Sequence, residues 1–371
     1  MDIAALAMVT DRRAKRPPPR ESRPARSEPE VSLDDKLHFL QCPAPDPGPR
    51  QQLRWLETHM SWLFFSGDRV LKLKKPVRFP FLDFSTLRAR EFYCREELRL
   101  NSRLAPGVYL GLMALQSAAS GLALVPEEQL PAAGQTVDWL VLMRRLPSQR
   151  MLPQLIGAAQ VEPHDIDALV AVLAAFYQRA PKVEVSAQEF VARFLREQSA
   201  NREVLLRPQF DLRDATSALE RFAAALPRYA ELLHERARRG RVVDGHGDLR
   251  PEHVCLTEPP VIIDCLEFNP QLRQVDPYDE IAFLSLECHM AGAAWIGPRL
   301  ASGCAEALGD TPPSALMHLY TAHRALLRAR LAMAHLLDLQ PRTPQKWPLL
   351  AQAYIDRCVA ALDALDVTLS A

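Results

Sequence analysis

One stretch constrains this chain more than any other: Val242 to Asn269, VVDGHGDLRPEHVCLTEPPVIIDCLEFN. Two short runs of valine and isoleucine, Val242–Val243 and Val261–Ile263, read as strands flanking a hairpin-like unit. Between them, His246-Gly247-Asp248-Leu249 sets an acid after a glycine turn, and Asp264 ends the second run. An acid on a turn and another at a strand tip suit phosphoryl transfer, where one carboxylate orients a hydroxyl and the other holds magnesium. Each acid alone has an ordinary explanation, since aspartate commonly caps turns. Their order within one short segment is what points to chemistry.

Composition removes several alternatives. Lys+Arg and Asp+Glu balance at 45 each in 371 residues, so no global field favours nucleic acid, and an acidic ligand must be met locally. No apolar run reaches the roughly 18 residues of a membrane span. Ile3 to Val9 is too short and lacks the basic leader of a signal peptide. Seven irregularly spaced cysteines without paired CxxC read as reduced thiols of a cytoplasmic protein. Cys255 and Cys265 read as small core residues. His246, His253, Cys255 and Cys265 match no usual zinc spacing, and the absence of GxSxG argues against a serine hydrolase.

The chain reads as α+β in two lobes. Residues 1–30 (DRRAKRPPPRESRPARSEPE and its flanks) form a basic, proline-rich tail, expected to be disordered and solvated. RNA binding through residues 12–26 ranks last among the functional readings. Residues 31–145 form a β-rich lobe starting at the N-cap Ser32. Strands are expected at 53–57, 61–66, 69–74, 108–115, 122–125 and 138–143, with one main helix from about Ser85 to Leu104. Residues 146–371 form a helical lobe, with helical periodicity at 166–178, 187–197, 215–239, 315–338 and 347–365. The Val242–Asn269 unit is the only strand-like material there.

Side chains can be assigned against this frame. Lys72 sits in an apolar alternating strand, where a buried ammonium needs a carboxylate. Glu97 on the following helix is the expected partner, with Glu96 as the fallback, and such a pair presents an ammonium to nucleotide phosphates. Lys74 and Lys75 read as a solvated edge. Ser61 and backbone amides of Thr58-His59-Met60-Ser61 would cover phosphates, although neither GxGxxG nor GxxxxGK[ST] is present. Main-chain groups near Leu142 and Met143, ahead of an inter-lobe linker, would meet an adenine edge. Glu267 would assist the metal or a cationic substrate. Glu267, Asp276, Asp279 and Glu280 either attract a cationic substrate or serve structure, since Asp276-Pro277 starts a helix.

HGDLRPEHV and IIDCLEF resemble the aminoglycoside phosphotransferase family within the protein-kinase-like fold. ETHMSWLFFSGDRVLKLKKPV, LDFSTLRAR, EELRLNSRLAP and YTAHRALLRARLA look like a bacterial subgroup sometimes fused to a P-loop ATPase-like domain, which has no counterpart in this sequence. The resemblance covers Val31 onward. It implies ATP-dependent phosphorylation of a small-molecule hydroxyl, with Asp248 as catalytic base, Asp264 as magnesium ligand, Lys72 on the α/β-phosphates and Glu97 as its partner. Two departures stand out. His253 occupies the place of the family's Asn, where it would face the nucleotide and a second metal. Imidazole is a poorer magnesium ligand than an amide oxygen. Cys265-Leu266 follows Asp264 in place of a protein-kinase DFG. The alternative reading is a pseudokinase-like nucleotide-binding module that regulates a protein partner.

Overall fold

The computed structural model describes residues 31–41, 54–79, 82–337, 341 and 343–370, with no side chains for 368–370. The tail 1–30 and the whole segment 42–53, with its prolines and the first residue of the strand expected at 53–57, lie outside these. The chain divides into two compact units. One holds the described residues up to Ser102 together with Pro106–Arg145. The other holds Arg103–Ala105 and the described residues from Leu146 onward.

The first unit contains α1 (Leu33–Gln41), β1 (Arg54–Glu57), β2 (Ser61–Ser66), β3 (Arg69–Lys74), β4 (Arg78–Phe79), β5 (Leu82–Asp83), α2 (Leu87–Asn101), β6 (Tyr109–Ala118), β7 (Gly121–Pro126) and β8 (Gln135–Arg144). Six strands make one antiparallel sheet in the order β1-β2-β3-β8-β6-β7. Alternation along β2 and β3 buries Trp62, Phe64 and Leu73 with Leu40, Leu115 and Leu140. The N-cap of α2 is Thr86, whose hydroxyl accepts from the Ala89 amide. Asp138 on β8 pins both helices: Lys36 of α1 reaches it at 2.9 Å, and Arg90 of α2 forks onto it at 2.7 and 3.1 Å.

The second unit contains α3 (Leu152–Gly157), α4 (Pro163–Arg179), α5 (Ala187–Leu205), α6 (Ala215–Arg238), β9 (Val243–Asp244), β10 (Val254–Cys255), β11 (Val261–Ile262), α7 (Pro270–Arg273), β12 (Gln274–Val275), α8 (Pro277–Met290), α9 (Ile296–Leu308), α10 (Ser314–Ala334) and α11 (Lys346–Ser370). Among the described residues no helix is long and apolar enough to cross a membrane. The two valine-isoleucine runs are strands, yet they do not pair with each other as expected. Val243 pairs with Val275, and Val261–Ile262 pairs with Val254–Cys255. The glycine-turn segment therefore lies between two small ribbons, not at the tip of one hairpin. Helix α8 starts at Asp276, whose side chain accepts from the Tyr278 amide ahead of Pro277. Eleven of its fourteen residues are buried, so it runs through the core with acids inside.

Candidate functional site

In the helical unit, the loop carrying Asp248 is held from beneath by one buried carboxylate. Glu280 on α8 accepts the His246 amide at 2.9 Å, the Gly247 amide at 2.5 Å and the Tyr177 hydroxyl at 2.8 Å. Burial raises its pKa, and these donors oppose the rise. Gly245 is required by this approach, because a Cβ there would fall 2.8 Å from Glu280 Oε2. Gly247 has φ +89°, the left-handed region that glycine enters without strain. Arg103 and Arg273 converge on Asp244 just before the loop, at 3.1 and 2.8 Å.

His246 locks the turn. Its Nε2 donates to Ile263 O at 3.0 Å and its Nδ1 accepts from the Asp248 amide at 3.2 Å. Burial pushes its pKa down to about 4, with His253 adding to the fall, so the ring is neutral at neutral pH.

Asp248 is 7% exposed and forms a forked pair with Arg250, Nε to Oδ1 at 3.0 Å and Nη2 to Oδ2 at 2.9 Å. Burial works to raise the carboxyl pKa, but Arg250 and His253 outweigh it and hold it below its ordinary value. Asp248 is therefore ionised at neutral pH. Arg250 has a buried Nη1 without a hydrogen-bond partner among the described residues. Sequence reasoning passed over Arg250, although a base two residues after the loop acid was the available signal.

Asp264 lies at φ +63°, a conformation that aspartate tolerates better than most residues, and its side chain is 44% exposed. His253 lies between the two acids. Its Nδ1 donates to Asp248 O at 2.7 Å, while its Nε2 faces Arg250 Nη2 at 3.3 Å and Asp264 Oδ2 at 3.6 Å. The ring is thus held between the Asp248 carbonyl, the Arg250 guanidinium and the Asp264 carboxylate. No cluster of three or more His, Cys, Asp or Glu able to hold a metal occurs among the described residues. Asp264 thus offers a single accessible carboxylate, which suits a cation that keeps waters and takes nucleotide phosphates as its other ligands. Glu267 is buried nearby in sequence.

In the sheet unit, Lys72 Nζ lies 2.8 Å from Glu97 Oε1. Glu96 instead pairs with Arg99 on the exposed face of α2. Lys74 corrects the solvated-edge expectation: it is 1% exposed and its Nζ lies 2.6 Å from Glu97 Oε2. Lys72 and Lys74, two apart in a strand, share one sheet face, and one carboxylate serves both. Lys75 turns instead to Glu57 at 2.5 Å. Ser61 is 2% exposed, and its amide donates to Thr58 Oγ1 at 3.0 Å, so this turn satisfies itself internally. Met143 pairs in register with Val70 on one side and Tyr109 on the other.

Asp276, Asp279 and Glu280 are not open to a cationic ligand in the way the sequence allowed. Asp276 takes Arg236 in a fork at 2.6 and 2.9 Å plus the Tyr320 hydroxyl at 2.9 Å, and Asp279 takes Arg324. The six described cysteines are all buried. Burial raises the pKa of the Cys255 thiol and pushes that of Cys265 up to about 12.

No protein-family profile matches the chain. Uncharacterized proteins of Mycobacterium tuberculosis and Mycobacterium bovis are each 34% identical to it over 286 residues, 74% of this chain and 53% of theirs. The chain thus spans about half the length of the curated relatives it matches. Among solved structures, a choline/ethanolamine kinase family protein from Mesorhizobium loti is similar with a TM-score of 0.50 and 16% identity, covering 89% of this chain and 95% of that one. A thermostable mutant of an aminoglycoside phosphotransferase has a TM-score of 0.47 and 12% identity, covering 85% and 94%. At such identities the likeness is one of fold: a sheet-containing first part followed by a mostly helical remainder.

Proposed function

Because this chain carries the fold of a choline/ethanolamine kinase family protein, we propose that it is an ATP- and magnesium-dependent phosphotransferase acting on a hydroxyl of a small molecule. The observation that carries this reading is the pair of acids set on either side of one imidazole. His253 bonds the Asp248 carbonyl with one nitrogen and lies 3.6 Å from the Asp264 carboxylate with the other.

Bound magnesium-ATP would supply the γ-phosphoryl group. Asp264 is the residue to hold the metal, with His253 the weaker second donor because its Nε2 already faces Arg250. Lys72, paired to Glu97 but retaining 15% side-chain exposure, is the residue for the nucleotide phosphates, and the enclosed Lys74 keeps Glu97 in place. Asp248 accepts a hydrogen bond from the acceptor hydroxyl and aligns its oxygen. The new O–P bond forms as the β–γ bridging bond breaks; its electron pair leaves with ADP, and the hydroxyl proton passes to Asp248. A carboxylate with a depressed pKa suits this role, because a loose transition state needs orientation early and a proton acceptor late. Nη1 of Arg250, which makes no hydrogen bond among the described residues and lies 3.6 Å from Glu252 Oε1, is a donor suited to a phosphate oxygen.

Calorimetric titration with ATP tests the nucleotide side. Binding is expected to tighten with magnesium in the parent protein, and Asp264→Ala is expected to abolish that dependence; an unchanged magnesium effect in the variant overturns the assignment. A second reading, a nucleotide-binding module that regulates a partner, is favoured by the Arg250–His253 contact at the second metal position. It predicts tight ATP binding without transfer to any hydroxyl.

A further inference from the structure

Gly247 and Asp248 line a cavity of about 180 Å³ built within the helical unit by α5, α8, α10 and the Gln271–Val275 segment. Its charges, its one unpartnered polar atom and its aromatic rings all bear on what it accepts.

Six charged side chains line it: Arg193, Arg196, Arg324, Glu197, Asp248 and Asp279. The bare count is three of each sign, but the partners decide. Arg324 forks onto Asp279 with two bonds of 2.7 Å. Glu197 takes Arg330 at 2.7 Å and Asp248 takes Arg250 at 2.9 Å, and neither of these arginines lines the cavity. All three acids are thus matched by guanidinium groups, and Arg193 and Arg196 remain. They share one carboxylate, Glu189, at 3.9 and 2.6 Å respectively. Arg193 spends its hydrogen bonds on neutral oxygens, Gln274 O at 3.0 Å and Gln274 Oε1 at 2.6 Å. Burial lowers its pKa, with Glu189 opposing and Arg196 adding to the fall. A half-buried guanidinium supplied with so little counter-charge suits an incoming anion.

On the same cavity wall, His323 Nδ1 is buried and has no hydrogen-bond partner among the described residues. Burial pushes the pKa of His323 down to about 3, so the ring is neutral and can exchange a hydrogen bond with a hydroxyl. Buried polar atoms without partners are rare in folded proteins and call for an explanation such as a missing ligand. The aromatic rings argue against an ammonium ligand. Phe283 already carries Arg324 at 4.9 Å and Arg328 at 6.0 Å, and Phe194 packs on His323 at 4.6 Å. The protein's own cations and rings fill the faces that would cage a quaternary or primary amine.

We infer that the acceptor is an anionic, hydroxyl-bearing small molecule, whose carboxylate or phosphate meets Arg193 and Arg196 while its hydroxyl lies against Asp248 and His323. This rests on the phosphotransferase reading for the role of Asp248, but not for the binding preference. That preference sets the chain apart from ligands that are amines.

Calorimetric titration of the full chain without nucleotide, using gluconate, glycerol 3-phosphate, glucosamine and choline, reads the preference directly. At least one of the two anions is expected to bind, the pair distinguishing carboxylate from phosphate, and the two amines are expected to bind at least about tenfold more weakly. Arg193→Gln is expected to weaken anion binding about tenfold or more, with Arg193→Lys recovering part of the loss because it retains the charge but not the fork. Arg196→Gln, at a more exposed position, provides a second variant with a smaller loss in the same direction. Binding of neither anion, tighter binding of an amine, or anion affinity unmoved by Arg193→Gln in a folded variant would each overturn the inference. Anion binding that responds to Arg193→Gln, together with no ATP-dependent transfer to that anion, would count against the phosphotransferase reading alone.

Discussion

Glu97 is the most informative single position in the sheet unit. Its carboxylate is fully buried and balances two ammonium groups, Lys72 Nζ at 2.8 Å and Lys74 Nζ at 2.6 Å. Lys74 is enclosed, with the Phe84 ring centroid 5.0 Å from its Nζ. Glu97→Gln keeps the shape but leaves both ammonium groups without this shared carboxylate. Breaking a buried ion pair from one side costs about 3–5 kcal/mol, far more than an exposed pair is worth. That corresponds to a fall in melting temperature on the order of 10 °C. Lys74→Met is expected to behave quite differently. It removes the enclosed ammonium and leaves a neutral Lys72–Glu97 pair, so its cost lies near zero, within about 1 kcal/mol. Adding Lys74→Met to Glu97→Gln should recover on the order of 1–3 kcal/mol, a coupling that a double-mutant cycle isolates. Urea denaturation followed by tryptophan fluorescence measures all four proteins, with Trp62 and Trp139 buried in this unit. ATP binding separates the lysines further: Lys72→Met should abolish it, and Lys74→Met should preserve it. A Glu97→Gln cost below about 1 kcal/mol, or a Lys74→Met cost equal to it, would refute the shared-carboxylate account.

Three further outcomes are expected. His246 and His323 have folded pKa values pushed down to about 4 and about 3, so the unfolded chain protonates first as pH falls below about 6.5. Stability should drop by about 2 kcal/mol per histidine between pH 7.5 and pH 5, and a flat urea midpoint over that range would contradict it. Gly245→Ala puts a Cβ 2.6 Å from Val275 Cγ2 and 2.8 Å from Glu280 Oε2; overpacking of about 1–3 kcal/mol and lost turnover are expected, and thermal denaturation alongside an ATP assay shows whether either is absent. His253→Asn replaces a nitrogen that faces Arg250 with a harder oxygen donor. It should lower the magnesium concentration needed for half-maximal ATP binding, and an unchanged or higher requirement would remove His253 from the metal's surroundings.

The parts of this molecule that could be read from sequence are those set by local pattern. Alternation along Ser61–Ser66 and Arg69–Lys74 shows the two strands, and the Ser66-Gly67-Asp68 turn shows how they connect. The Lys72–Glu97 contact was legible because a lysine in an apolar strand needs a carboxylate, and the next helix presents one on its buried face. Lys74 was misread because a run of lysines at a strand end resembles a solvated edge, and only the packed structure shows its ammonium enclosed. The two valine-isoleucine runs were recognisable as strands, but their partners, Val275 and Val254, are set by tertiary pairing. Helix α9 is absent from the sequence reading, although Ile296, Leu300 and Cys304 recur every four residues on its buried face. Its Gly297 and Gly303 sit where small residues allow close approach to Ser285 and Val170, and both glycines lower helix propensity. The acids of α8 were visible, but their arginine partners stand 40 or more residues away in sequence, as with Arg236–Asp276 and Arg324–Asp279. Whether those acids faced a ligand or an ion pair was therefore a question of packing alone.

The most direct test of the central claim is magnesium-dependent ATP consumption, followed by phosphorus NMR, across a panel of hydroxylated acids and sugar phosphates, for the parent protein and Asp248→Asn. The exchange keeps the shape of a side chain forked to Arg250 and removes its charge and its capacity to take a proton. The account predicts transfer to at least one acceptor by the parent protein and a loss of at least about 100-fold in the variant. Full turnover by Asp248→Asn would contradict it.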